Sequence, residues 1–201
     1  YLLIGHDHHF GCDRANGFDQ YKQYGEEKGI VVEREDVFKV KDIVVSSSYV
    51  RREIQAGNIA GAKAALGYDY FIEGVVIPGY KVGKTIGFPT ANVAVNDVRK
   101  LLPAAGVYAV TVEIEGTSKE LKAMLYIGAR PTFVNMSETK SIEVNIFDFD
   151  EDIYQKKIKV NFKNYIREEQ KFDSPSKLAT QLNKDKQVVL NWFAKGKWLL
   201  A

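Results

Sequence analysis

A glycine-rich stretch, GYKVGKTIGFPTAN at residues 79–92, offers residue types that bind phosphate. Its glycines leave backbone N–H groups open to phosphate oxygens, and a lysine adds a positive charge. The stretch is not a P-loop, because that pattern needs a glycine where the chain has Pro78 and opens a long helix that Phe88-Pro89 forbids. The sequence therefore predicts a phosphate-binding loop of another kind, with a flexible hairpin as the alternative. The residues concerned are Gly79, Gly83, Lys84 and Gly87.

Two oxygen-bearing side chains at the end of this stretch have the spacing of cation ligands. Thr90 and Asn92 stand two residues apart on a predicted strand, so their side chains point to the same side. A hydroxyl and an amide oxygen suit a hard cation such as Mg²⁺ beside phosphates. The alternative is a turn in which Asn92 bonds its own backbone.

Length and composition leave room for one or two globular domains. The chain has 201 residues, of which 45% are hydrophobic and 27% charged, and its net charge of +2 gives no basic footprint for nucleic acid. The single cysteine, Cys12, cannot form an internal disulfide, and no run of about 18 apolar residues predicts a membrane span. We therefore expect a reducing cytoplasm. Since the chain begins with the strand-like run Tyr1–Ile4 and no methionine, we interpret it as a fragment whose natural N-terminus is missing.

The first fifty residues have the pattern of the end of an α/β domain. A strand-like start is followed by a helical segment near Asp19–Lys28 and a second strand at Ile30–Val32. A helical pattern then follows Ser46–Ser48 and stops at Gly67. We place the domain boundary between residues 52 and 53.

From Tyr70 onward the apolar period changes to two. Short alternating segments separated by Gly, Pro, Asn and Asp predict a closed antiparallel barrel or a sandwich. Ser174-Pro175 is a good helix start, and apolar residues at helical spacing continue to Gly196. The predicted fold class is α+β: an antiparallel β-barrel with one or two C-terminal helices, preceded by the end of an α/β domain.

Six ordered segments, covering roughly Gly67 to Lys186, resemble the riboflavin kinase family. The resemblance implies a β-barrel that transfers the γ-phosphate of ATP to the 5′-hydroxyl of riboflavin, with Mg²⁺ as the metal and FMN as the product. The matching segments are the stretch at 79–92, Leu102-Pro103, Gly106-Val107-Tyr108, Ile127-Gly128 with Pro131-Thr132-Phe133, Ser141–Phe149, and Ile166-Arg167 with Glu169 and Phe172.

The resemblance assigns roles to individual residues. Thr90 and Asn92 resemble the family's Mg²⁺ and nucleotide ligands, with Gly79, Gly83 and Lys84 on the ATP phosphates. Glu143 resembles the catalytic base, and a carboxylate is a suitable acceptor for the proton of an attacking hydroxyl. Without the resemblance, a lone strand glutamate is most simply solvated.

Two further residues resemble flavin ligands. Arg167 corresponds to an arginine on a flap over the flavin and phosphates, with a surface ion pair to Glu168 or Glu169 as the alternative. Phe133 and Phe172 are candidates for contact with the isoalloxazine ring, and core packing is the favoured role for both. The chain departs from the family pattern at Asn145, where histidine is usual, and at Val82, where bacterial members usually have arginine.

The N-terminal part is similar to the FMN adenylyltransferase domain of bifunctional bacterial FAD synthetases. The similarity lies in Gly5–Gly11 and in Ser46–Arg51, and it singles out Asp7, Ser46, Ser47 and Arg51. The family's H-x-G-H motif is absent from this chain, so we expect this second activity to be weak or missing here and present in the parent protein. A zinc site at His6–His9 is disfavoured, because adjacent residues on a strand end splay to opposite faces.

Two competing hypotheses remain open at this point. One is a non-catalytic barrel that binds flavin or nucleotide without transfer. The other is an OB-like barrel for single-stranded nucleic acid, which acidic residues on the polar strand faces, such as Glu113 and Glu143, argue against. We expect small-molecule substrates, no nucleic acid and no membrane, and the sequence leaves the oligomeric state open.

Overall fold

The chain forms two compact units. The computed structural model describes five stretches, residues 1–5, 17–40, 43–79, 82–129 and 140–196. Unit 1 spans Tyr1–Ser46 and unit 2 spans Ser47–Ala201. This division precedes the boundary that the sequence predicts between residues 52 and 53, and the identity of unit 1 stays a prediction.

Unit 1 contains a helix between two parallel strands. Its elements are β1 (Leu2–Ile4), α1 (Phe18–Glu27), β2 (Val32–Arg34), β3 (Lys39–Val40) and β4 (Ile43–Val44). Strand β1 pairs in parallel with β2, as expected of an α/β unit, and β3 pairs with β4 as an antiparallel ribbon. Gly25 lets α1 approach β2 closely, since a Cβ there would lie 2.3 Å from Cγ2 of Val32. Within β1 only Ile4 is buried, so the apolar run at residues 1–4 is less buried than its composition suggests.

Unit 2 begins with two short helices where the sequence pattern suggested one continuous helical stretch. They are α2 (Ser47–Gln55) and α3 (Ile59–Leu66). The break lies at Gly57, whose φ of +75° is left-handed, and Asn58 then caps α3 by accepting a 3.1 Å hydrogen bond from the N–H of Gly61. Gly67 ends α3 in the left-handed conformation, at the predicted position.

Six antiparallel strands form the closed barrel that the sequence predicts. They are β5 (Phe71–Ile77), β6 (Ala91–Val95), β7 (Gly106–Ile114), β8 (Glu120–Ala129), β9 (Lys140–Ile146) and β10 (Lys157–Arg167). Their order around the barrel is β10-β5-β6-β9-β8-β7, and β10 closes it by pairing with both β5 and β7. Closure leaves no open sheet edge.

Alternate residues of the strands fill the barrel interior, as a period of two requires. The largest fully buried side chains are Tyr108 and Phe162, whose rings meet edge to face with centroids 5.2 Å apart. The buried hydroxyl of Tyr108 donates to the Ala104 carbonyl at 2.7 Å, so burial leaves no unpaired polar atom there. Aliphatic residues complete this core: Ile72, Val76, Val110, Val112, Ile114, Leu125, Ile127, Val144 and Val160.

One C-terminal helix covers the outside of the barrel. Helix α5 (Pro175–Gly196) begins where predicted, with the Ser174 hydroxyl accepting the N–H of Lys177 at 3.3 Å. Its apolar side packs on β7, β8 and β10, with Val189 fully buried. Among its described residues, the glycine-rich stretch contains the four-residue helix α4 (Val82–Thr85) and the first two residues of β6. No described helix is both long and apolar enough to cross a membrane.

Candidate active site

Three of the predicted site residues lie together on neighbouring strands. Strand β6 pairs with β9 so that Asn92 lies opposite Glu143. The hydroxyl of Thr90, just before β6, donates to Oε2 of Glu143 at 3.2 Å, and the hydroxyl of Ser141 donates to Oε1 at 3.2 Å. Among the described residues no lysine or arginine forms an ion pair with Glu143. The carboxylate is therefore oriented by two neutral donors and keeps acceptor capacity.

The glycines before Thr90 are required by close packing. A Cβ at Gly79 would lie 1.9 Å from Nδ2 of Asn92, and a Cβ at Gly83 would lie 2.2 Å from the carbonyl oxygen of Phe88. The N–H of Phe88 also donates to the Gly83 carbonyl at 2.8 Å, which folds the stretch back on itself. Lys84 is exposed at the tip of this turn. Tyr80 and Lys81, in the same loop, lie outside the described residues.

Two pockets share Thr90 as a wall. The first, which we call the Lys84 pocket, has a volume of about 460 Å³ and is lined by Lys84, Pro89, Thr90, Ile146, Asp152 and Tyr154 among others. The second, which we call the Arg167 pocket, has a volume of about 320 Å³ and is lined by Thr90, Met124, Glu143, Arg167, Phe172 and Leu182 among others. Thr90 thus stands between the two pockets, and its partner Glu143 lines the Arg167 pocket.

Arg167 is paired differently from the surface pair that the sequence offered as the alternative. Instead of Glu168 or Glu169, its side chain meets Asp185 of α5, with Nη2 2.7 Å from Oδ2. Register shifts in the β7–β10 pairing lie between Phe162 and Asn164 and again just before Arg167. Such bulges turn a strand end and re-aim its side chains. Here the second bulge directly precedes Arg167, whose guanidinium lines the pocket.

Phe172 lies at the mouth of the same pocket and not in the barrel core. It is half-buried, and the guanidinium carbon of Arg167 stands 5.9 Å from its ring centroid. Phe133, the other predicted aromatic contact, lies outside the described residues.

Asn145 takes a defined place where the family pattern has histidine. It is buried, and its Nδ2 donates to the Pro89 carbonyl at 2.7 Å. The bond ties β9 to the backbone directly before Thr90. Asn145 therefore supports the position of Thr90, a role that the sequence pattern did not reveal.

The sequence did not reveal two further residues, the pocket residue Tyr126 and Asp185, the partner of Arg167. Tyr126 lies opposite Glu143 in the β8–β9 pairing and donates its hydroxyl to the Glu169 carboxylate. Burial, followed by this hydrogen bond, raises the pKa of Tyr126 well above its ordinary value. Asp185 had a readable signal, because it falls between Leu182 and Val189 at the spacing of the buried stripe of α5. A carboxylate on an apolar stripe demands a buried partner.

The structure describes three of the four residues predicted for the adenylyltransferase part, and their role stays a prediction. Ser46 ends unit 1, while Ser47 and Arg51 belong to α2 of unit 2. Asp7, together with the His6–His9 cluster and Cys12, lies outside the described residues. In the part of the chain that the structure describes, no group of three or more His, Cys, Asp or Glu side chains could hold a metal ion.

Comparison with known proteins gives consistent similarities. A family model described as "Flavokinase: Riboflavin kinase" matches residues 66–193. The chain is 43% identical over 155 residues to the bifunctional riboflavin kinase/FMN adenylyltransferase of Bacillus subtilis, covering 77% of this chain and 48% of that protein. It is 37% identical to the protein of the same description from Pseudomonas fluorescens, covering 92% of this chain and 58% of that one. The chain thus spans about half to three-fifths of the length of these relatives.

A crystal structure supports the fold. It is that of a Streptococcus pneumoniae protein described as a macrolide-efflux protein, with a TM-score of 0.81 and 36% sequence identity. The match covers 94% of this chain and 60% of that one.

Proposed function

Because the chain belongs to the riboflavin kinase family, we propose that it transfers the γ-phosphate of ATP to the 5′-hydroxyl of riboflavin, giving FMN and ADP. One observation carries the proposal: Thr90 lines both pockets, and it is hydrogen-bonded to Glu143, which lines the Arg167 pocket. A transfer reaction needs a donor site and an acceptor site that meet at the reacting atoms. The shared wall is therefore where we place the γ-phosphate and the 5′-hydroxyl.

The Lys84 pocket suits ATP. Lys84 supplies a cation in its lining, beside Thr90. Gly79 and Gly83, the other proposed ATP-binding residues, pack closely against Asn92 and the Phe88 carbonyl and so set the shape of the loop that carries Lys84. The acidic residues Asp150–Asp152 line the same pocket, so the phosphates are best placed near Lys84 and Thr90, away from that run.

Mg²⁺ fits the oxygen donors at this wall. The hydroxyl of Thr90 and the side-chain amide of Asn92 are hard ligands, and the Glu143 carboxylate is the hydrogen-bond partner of one and the strand partner of the other. We propose Thr90 and Asn92 as the residues that hold the ion. When bound, the metal would neutralise negative charge on the transferring phosphates.

The Arg167 pocket suits riboflavin. Met124, Phe172 and Leu182 give it apolar walls for the flavin ring, while Glu143 and Arg167 add polar groups. In this orientation the ribityl chain leads its terminal hydroxyl toward Thr90 and Glu143.

Glu143 is the proposed general base. Its two carboxylate oxygens each accept a hydroxyl hydrogen bond, from Thr90 and Ser141, which fixes their direction without cancelling the charge. As the 5′-oxygen bonds to the γ-phosphorus, the bond from that phosphorus to the β–γ bridging oxygen breaks and ADP leaves. Glu143 takes the proton of the 5′-hydroxyl.

The test is product formation by this chain. It is incubated with riboflavin and Mg-ATP, and the flavins are separated by chromatography with fluorescence detection. FMN is the expected product. Riboflavin binding with no FMN would overturn the kinase and leave the competing hypothesis of a non-catalytic flavin or nucleotide binder.

The second half of the proposal concerns the longer protein. We propose that unit 1 is the end of an FMN adenylyltransferase domain and that the intact protein also converts FMN to FAD, as the names of its relatives state for them. For this chain we expect FMN without FAD, because the H-x-G-H motif is absent. Adding FMN and Mg-ATP directly tests this separately from the kinase step. A cytoplasmic location belongs to the same proposal and is favoured by the lone Cys12 and the need for ATP.

A further inference from the structure

A buried carboxylate holds one edge of the Arg167 guanidinium. Asp185 is only 2% exposed, and it accepts Nε of Arg167 at 3.0 and 3.1 Å and Nη2 at 2.7 Å. The side chain of Arg167 is itself 16% exposed. This is the two-pronged geometry that makes arginine–carboxylate pairs strong and directional.

Asp185 is the strongest of the groups that orient Arg167. The ring of Phe172, 5.9 Å from the guanidinium carbon, contributes a weaker and less directional cation–π interaction. The backbone carbonyl of Glu168, an uncharged acceptor, accepts one hydrogen bond from Nη1 at 2.8 Å. Asp185 is in turn fixed on α5, because Nε2 of Gln181 donates to its Oδ1 at 2.8 Å. The direction of the guanidinium is therefore set from helix α5.

The bonds to Asp185 and Glu168 leave part of the guanidinium unused. Arginine has five N–H groups. Among the described residues these bonds occupy three, on Nε, Nη1 and Nη2, so that one hydrogen on each terminal nitrogen remains. Two adjacent N–H groups match two oxygens of a phosphoryl group. Arg167 lines the pocket that also contains Thr90 and Glu143.

We propose that Asp185 is a positioning residue that aims Arg167 at the phosphoryl group of FMN and of the transfer step, and not at the flavin ring. This inference rests on the proposed function. The charge argument favours the phosphoryl group, because riboflavin is uncharged at neutral pH while FMN carries a phosphate. Of the two flavins, only FMN therefore offers Arg167 an anionic group to bind.

The experiment compares the affinities of the two flavins in Asp185→Asn. An amide in place of the carboxylate keeps the size but loses the charge and one of the two acceptor prongs. We expect the dissociation constant of FMN to rise about tenfold, the loss of one charge-assisted contact, and that of riboflavin to change less than about twofold. Quenching of flavin fluorescence measures both. The matched control is Asp173→Asn, which removes the same charge from an exposed pair with Lys177 and should leave both affinities unchanged.

An equal change for both flavins, or none for either, would overturn the positioning role and leave a merely structural ion pair between β10 and α5. If Asp185→Asn does not fold, Asp185→Glu keeps the charge and displaces the guanidinium, and the same selective loss of FMN affinity is expected. Wild-type FMN formation is scored first. A failure of the proposed function then shows as absent product, whereas a failure of this inference shows as an unselective affinity change in an active enzyme.

Discussion

Two polar clusters in unit 2 differ in whether their charged side chains form ion pairs. In the Lys163 network, which comprises Lys63, Asp69, Thr111, Glu120 and Lys163, charges of opposite sign are paired. Nζ of Lys163 lies 2.8 Å from Asp69 and 3.1 Å from Glu120, and Nζ of Lys63 lies 2.9 Å from Asp69. At the candidate active site, Glu143 meets only the hydroxyls of Thr90 and Ser141 among the described residues.

The pairing of opposite charges shifts the pKa values of two groups in the Lys163 network. Burial alone would raise the pKa of Asp69, but the bonds from Lys163 and Lys63 outweigh it and hold that pKa below its usual value. Burial alone would lower the pKa of Lys163, and its two carboxylate partners reverse the direction. Closed pairs of this kind stabilise a fold. A carboxylate without a cationic partner instead keeps acceptor capacity that a substrate proton can use.

The largest expected effect is on the rate of transfer when Glu143 is neutralised. Glu143→Gln keeps the size of the side chain and removes the proton acceptor. We expect kcat to fall at least about 100-fold, the lower end of the range for a general base. The melting temperature and the riboflavin affinity should stay close to the wild-type values.

The comparison supplies the control for that variant. Glu120→Gln makes the same chemical change in the Lys163 network, where the carboxylate accepts from Thr111 and pairs with Lys163. It should lower stability and leave kcat unchanged. If both glutamates affected kcat alike, the contrast between a stabilising and a reactive carboxylate would be wrong.

The next largest effect is on stability when the centre of the network is removed. Lys163→Met leaves Glu120 and one oxygen of Asp69 without their cation, and we expect a loss of about 2 kcal/mol in the free energy of unfolding. In a chain of this size that corresponds to roughly 4–8 °C in melting temperature. Circular dichroism measures it, and the KM values for ATP and riboflavin should not move. An altered KM at constant stability would connect the network to the site.

The barrel was predictable because its signals are local and repeated. Alternation in β7, β9 and β10 together with turn residues indicated a set of short antiparallel strands, and Ser174-Pro175 marked the start of α5. The alternation was compatible with either a closed barrel or a sandwich, because both have it. In the structure β10 pairs with both β5 and β7, which closes the barrel. The break between α2 and α3 was not predicted, because the apolar spacing continues across Gly57 and does not show that this residue adopts a left-handed conformation.

For the candidate site, the sequence proposes residues that belong to a motif, and it does not reveal the contacts that hold those residues in place. Thr90, Asn92 and Glu143 follow from the family pattern, and the β6–β9 pairing brings them together. The partners Asn145 to Pro89 and Arg167 to Asp185 join positions far apart in sequence, and no local period encodes such a pairing. Of these residues, only Asp185 gave a sequence signal, because a carboxylate on the apolar stripe of a helix indicates a buried partner.

A smaller effect is expected from packing at the glycine-rich stretch. Gly79→Ala places a Cβ 1.9 Å from Nδ2 of Asn92, so the amide must move. We expect the KM for Mg-ATP to rise about tenfold, about 1.4 kcal/mol, with the riboflavin KM unchanged. If the effect acts through Asn92, the double variant with Asn92→Ala should be no worse than Asn92→Ala alone. Strictly additive losses would contradict that route.

The smallest expected effect is the acid dependence of the Lys163 network. A bond from Thr111, ahead of the contribution of Lys163, lowers the pKa of Glu120, and the pKa of Asp69 is also lowered. A lowered folded-state pKa means that the stabilisation is present above the unfolded values of 4.5 and 3.8 and is lost as pH falls through the lower folded values. The pKa of Lys163 is raised in the folded protein, so the stabilisation that its charge provides is lost only as the pH rises above 10.5.

The measurement is the difference in melting temperature between wild type and Lys163→Met as a function of pH. Between about pH 5 and 10 both carboxylates and the lysine are charged, so the difference should be constant. Toward pH 3 the carboxylates of Asp69 and Glu120 take up protons in the folded protein, Lys163 loses its partners, and the difference should narrow. A difference that stays the same from pH 7 to pH 3 would mean that Lys163 stabilises through the packing of its methylene chain and not through its charge.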